Sequence, residues 1–70
     1  MSIEDIIDIS SAENYIYENF TLDGTSQQLV SGILYWVRDE YRGNITDALF
    51  GLLDPVGLNC KEIEKIASVI

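Results

Sequence analysis

The apolar positions of this chain recur at intervals of three and four from one end to the other, the spacing that lines one side of an α-helix. Near the start, Ile3, Ile6 and Ile7 fall on one side of a helix wound at about 100° per residue, whereas Ala12, Ile16 and Phe20 fall on nearly the opposite side. One continuous helix could not bury both stripes. A break near Ser10 or Ser11 is therefore expected, with two short helices facing one core. Start signals fit this division: Ser2 is followed by Asp5, and Ser10 with Glu13 has the spacing of a capping box, in which each side chain satisfies the other residue's free backbone N–H.

Thr21-Leu22-Asp23-Gly24 reads as a turn, and Thr25 with Gln28 forms another capping box that opens a long helix running to Arg42. Gly43 is placed to end it in a left-handed conformation. Along this helix Leu29, Ile33, Trp36 and Val37 make the main apolar stripe, and Val30, Leu34 and Tyr41 widen it, so the helix is expected to be central and packed on more than one side. Asn44 caps a third helix, whose Ile45, Ala48, Leu49, Leu52 and Leu53 give the cleanest amphipathic pattern in the chain. Asp54-Pro55-Val56-Gly57 stops it. Asn59 with Glu62 opens a last helix, with Ile63, Ile66, Ala67 and Ile70 as its buried stripe.

The expected fold is all-α, a single domain over residues 1–70 built as a small irregular bundle of four or five short helices. The β-prone residues from Tyr15 to Phe20 leave a short strand there as the one alternative.

A hydrophobic content of 47% with a single Pro sets the chain apart from disordered sequences, which are poor in Ile, Leu and Val. At 70 residues, however, one core supplies only about 3–5 kcal/mol of net stability, so a partner or a second copy covering apolar surface is a natural complement. Cys60 is alone and cannot close an internal disulfide, whereas secreted domains of this size normally need several. The first residues are acidic where a targeting segment would be basic, and no apolar run approaches the roughly 20 residues of a membrane span. The expectation is a cytoplasmic protein without a membrane partner.

Charge is unevenly placed. The net charge is −8, and before Arg38 there are six acids (Glu4, Asp5, Asp8, Glu13, Glu18 and Asp23) and no Lys or Arg. The remaining residues mix six acids with Arg38, Arg42, Lys61 and Lys65. Acids near helix starts oppose the helix dipole and aid solubility, but a cation-free acidic half also steers a domain toward a basic surface on another protein. Direct nucleic-acid binding is not expected, because phosphates would be repelled and only four cations are available.

The chemistry-bearing residues are few. The chain has no His, and one Cys cannot build a structural zinc site. Asp23-Gly24 lacks the preceding carboxylates of a calcium loop, and no phosphate-binding loop, dinucleotide fingerprint or nucleophile elbow occurs. With no His or second Cys to complete a reactive pair, Cys60 reads as a small, partly buried apolar residue. No enzymatic activity, metal or cofactor is expected. Most aromatics are expected in the core, but Tyr35 lies off the main stripe of the long helix and Tyr15 and Tyr17 point in different directions on any helix, so whichever of these rings is exposed is a contact anchor.

The stretch Phe20-Thr21-Leu22-Asp23-Gly24-Thr25-Ser26 resembles the approach to the second helix of acyl and peptidyl carrier proteins, which are acidic four-helix domains of similar size. The resemblance implies Ser26 as the attachment site of a phosphopantetheine group. Thr25 and Gln27 stand where that family usually has Asp or His before the Ser and Leu or Ile after it.

The leading expectation is a small acidic non-enzymatic module that occupies a basic surface on a larger protein, nucleic-acid-binding surfaces included, as an inhibitor, antitoxin, immunity or anti-defence factor does. Its contact residues are expected among Glu4, Asp5, Asp8, Glu13, Tyr15, Tyr17, Glu18, Asp23 and Tyr35. The alternatives are a carrier domain acting through Ser26 and a homo-oligomeric module, a homodimer being the simplest form.

Overall fold

A computed structural model describes all residues 1–70 and shows four α-helices: α1 (Ile9–Asn19), α2 (Gly24–Asp39), α3 (Ile45–Leu52) and α4 (Cys60–Val69). Two short 3-10 turns, Ile3–Asp5 and Asp54–Val56, precede α1 and follow α3. The fold is a small all-α bundle, as the periodicity predicts, and the Tyr15 to Phe20 segment is helix up to Asn19 rather than strand.

The last two helices begin where their caps predict. Asn44 accepts the amide of Asp47 at 3.0 Å, and Asn59 accepts that of Glu62 at 2.9 Å while the Glu62 carboxylate accepts the Asn59 amide at 2.8 Å. Pro55 sits in the intervening 3-10 turn, and Gly57 at φ 95° takes the left-handed position that lets the chain turn toward α4.

The first two helices begin elsewhere than expected. Asp8, not Ser10, caps α1: its carboxylate accepts the Ser11 amide at 2.8 Å, and the Ser11 hydroxyl accepts the amides of Asp8 and Ile7 at 2.9 and 2.8 Å. Glu13 takes no part in this box. Likewise Asp23, not Thr25, caps α2 by accepting the Ser26 amide at 2.7 Å, which puts Thr25 inside the first turn. In both places an Asp two residues earlier supplies a charged acceptor to the free amides, and a carboxylate there also opposes the helix dipole.

α2 also ends earlier than expected, at Asp39 rather than Arg42. The amides of Glu40 and Tyr41 both converge on the Trp36 carbonyl, and the Tyr41 ring returns to lie 5.7 Å from that of Trp36. Gly43 is not a left-handed stop. Its role is close approach, since a Cβ at that position would lie 2.5 Å from the Tyr41 hydroxyl.

α1 packs on α2 and α4, and α3 bridges α2 and α4, so one core is shared by all four helices. Ile16, Leu34, Leu49 and Ile66 are fully buried at its centre. The face that α2 turns inward is Val30, Leu34 and Val37, not the expected stripe from Leu29 to Val37. Leu29 is 62% exposed and Trp36 49% exposed. α2 is apolar over too wide an arc for periodicity to choose its inner face, and contact with α1 and α3 selects the Val30–Leu34–Val37 side.

Candidate functional site

Three of the large apolar side chains left exposed, Leu29, Trp36 and Leu52, lie along one groove between α2 and the end of α3, whereas Ile7, expected in the first buried stripe, is 75% exposed and takes no part in its lining. Leu22, Leu29 and Ile33 form one wall, and Leu52, Leu53 and Val56 the other. This deeper end encloses about 160 Å3, close to the size of cavity that accepts a benzene ring. Toward the middle of α2 it opens into a shallower trough of about 390 Å3, reaching Gln28, Gly32, Trp36 and Leu52. Leu52, expected in the buried stripe of α3, is 42% exposed at this edge.

No Lys or Arg lines the groove. Asp23 precedes its deep end next to Leu22, and Asp54 lies between the lining residues Leu53 and Pro55, both acids being exposed. Ser26, the attachment site that the carrier resemblance implies, lies half-buried in the lining of the groove, with its amide donating to Asp23 at 2.7 Å.

Of the six acids before Arg38, Glu4, Asp5, Asp8, Glu18 and Asp23 are exposed and Glu13 is half-buried. Three have local tasks: Asp5 accepts the Ser2 amide at 2.8 Å, and Asp8 and Asp23 cap α1 and α2. The Ser11 amide and hydroxyl hold the Asp8 carboxyl below the usual carboxylate range, and the Ser26 amide and hydroxyl do the same for Asp23, so both remain charged well into mild acid.

Glu18 meets the N-terminal amine at 3.3 Å, which ties the start of the chain to the end of α1. Glu13 lies on another side of α1, where it accepts the Ser31 hydroxyl at 3.1 Å. The acids therefore share a sign of charge but not a single face.

The three tyrosines differ. Tyr15 is buried and donates its hydroxyl to Glu62, so it is part of the core and not an exposed anchor; its position on the inner side of α1 beside Ile16 decides this. Tyr17 is half-buried and donates to the Gln27 carbonyl at 3.0 Å, and burial, aided by the nearby Glu13 charge, pushes its phenol up. Only Tyr35 is exposed, with the Arg38 guanidinium 4.7 Å above its ring.

Leu29, Trp36 and Leu52 are the contact candidates that the sequence pattern assigned to the core. Leu29 and Trp36 belong to one of two α2 stripes of helical spacing, the other being Val30, Leu34 and Val37, so spacing alone carries no signal that would separate them. Cys60 is exposed at the start of α4 rather than partly buried. No group of three or more His, Cys, Asp or Glu is gathered in a metal-holding arrangement, and no helix is long and apolar enough to cross a membrane. No family model, no curated protein and no solved structure matches the chain.

Proposed function

We propose that the chain is a non-enzymatic protein-binding module that sits on a basic surface of a larger protein and acts there as an inhibitor or regulator. The observation that carries this reading is the exposure of Leu29, Trp36 and Leu52 around one groove on a chain of net charge −8. Large apolar side chains exposed together mark contact surfaces, and Trp is enriched among the residues that dominate binding energy. The surrounding charge speeds and selects the encounter, because a strongly acidic body is drawn to basic patches and repelled by acidic ones.

The test is capture of the partner from a host extract by the wild-type chain and by a Glu4→Gln/Glu18→Gln variant. Neither glutamate caps a helix, and exposed ion pairs such as that of Glu18 add little to stability. The expected result is a basic partner held less firmly by the variant and released by salt. Equal retention by both forms, unaffected by salt, would overturn the proposal.

A further inference from the structure

The groove between α2 and the end of α3 has a more specific chemistry than an apolar patch. Ser26 and Gln28 are the only hydrophilic side chains along it. An extended segment laid there would bring backbone N–H and C=O groups with nothing to receive them, since every regular element of the fold is helical and no strand edge is offered. A helix satisfies its backbone bonds internally and can rest on such a surface.

The dimensions agree. From Ser26 to Trp36 the groove follows α2 for about 15 Å at 1.5 Å per residue, enough for nearly three turns of an opposing helix and for anchors at i, i+4 and i+7. Its deep end takes one large apolar side chain. Gly32 lies in the floor of the shallow part, where an added Cβ would meet nothing within 4 Å in this molecule. The fold itself thus has no need of a glycine in the middle of α2, whereas a second helix gains closer approach from the missing side chain.

Charge decides what kind of helix. Asp23 and Asp54 lie beside lining residues of the groove, no cation lines it, and the four Lys and Arg residues lie at the C-terminal end of α2 (Arg38), in the segment after it (Arg42) and in α4 (Lys61 and Lys65). A second copy of this chain would set acids against acids. We infer that the groove binds a cationic amphipathic helix of the partner, with a Leu- or Phe-sized anchor in the deep end and Lys or Arg directed at Asp23 and Asp54. The inference rests on the reading of the chain as a protein-binding module and names what it grips.

Three synthetic helical peptides of about 18 residues, free of Trp and Tyr, provide the test. The first has Leu and Phe on one face and Lys on the other, the second keeps that face and replaces Lys by Glu, and the third scrambles the first so that no face is apolar. Trp36, the single tryptophan, reports occupancy through a blue shift of its emission. The first peptide is expected to bind at least tenfold more tightly than the other two. Leu29→Gln and Leu52→Gln are each expected to weaken it at least fivefold without moving the unfolding midpoint by more than a few degrees.

Equal binding of the scrambled peptide, or an affinity unchanged by Leu29→Gln, would reduce the effect to charge attraction and overturn the groove assignment. Absence of binding would overturn it as well. Neither result touches the parent reading, which fails only if partner capture ignores salt and the Glu4→Gln/Glu18→Gln variant. A concentration-dependent blue shift without peptide, with a dimer in sedimentation, would give the groove to a second copy and also overturn the inference.

Discussion

Tyr15 of α1 donates its hydroxyl to the carboxylate of Glu62 on α4, 47 residues further along the chain. The same carboxylate accepts the Asn59 amide at the start of α4, so one buried acid both caps a helix and ties the first helix to the last. A buried carboxylate is tolerated when its oxygens are hydrogen-bonded.

Tyr15→Phe removes one of those bonds and is expected to lower stability by about 1–3 kcal/mol in chemical denaturation. The same contact shapes the alkaline limb. The bond to Glu62, with burial and the Glu62 charge, pushes the Tyr15 phenol up from 10.0 to about 12. A raised phenol favours the folded state fully below pH 10, and this contribution is lost as pH rises through about 12. Tyr15→Phe is expected to lack that part of the decline, read as a shallower fall of the unfolding midpoint above about pH 10.

The Asp8 and Asp23 caps predict the acid limb. Both carboxyls are lowered by hydrogen bonds from the first turns of α1 and α2, so their contribution is present above the ordinary carboxylate range and is lost as pH falls through their lowered values. An Asp8→Asn/Asp23→Asn variant keeps an acceptor at each cap without the titration. Thermal melts below about pH 4 are expected to fall less steeply for this variant than for the wild type.

Two glycines should respond in opposite directions to alanine. Gly32→Ala adds a Cβ into open space on a regular helix and is expected to raise stability by up to about 1 kcal/mol. Gly57→Ala forces a side chain into φ 95° and is expected to cost about 1–2 kcal/mol. Urea midpoints of the two variants on either side of the wild type would meet this expectation.

The inner face of α2 can be read by truncation. Leu34→Ala is expected to cost about 2–5 kcal/mol, as large-to-small changes at fully buried sites do. Leu29→Ala is expected to cost about 1 kcal/mol or less, because most of that side chain already meets solvent. A reversed order in denaturation would return Leu29 to the core.

These contrasts mark what was legible along the chain. The helix class, the caps at Asn44 and Asn59 and the stop at Gly57 follow from local chemistry, which a linear sequence contains. At α1 and α2 two acceptors compete within a few residues, Asp8 with Ser10 and Asp23 with Thr25, and local pattern does not rank them. The inner face of α2 is harder still, since Leu29–Ile33–Trp36 and Val30–Leu34–Val37 have equivalent spacing and only the placement of α1 and α3 separates them. The Tyr15–Glu62 contact and the groove arise from packing between distant segments, which leaves no local trace.

The most direct measurement of the central claim is the affinity of the chain for its captured partner at about 0.05 M and about 0.3 M salt, a range over which exposed charges pass from weak to strong screening. The account predicts a severalfold loss of affinity at the higher salt, carried mainly by a slower association rate. An affinity and association rate unchanged between the two conditions would contradict it.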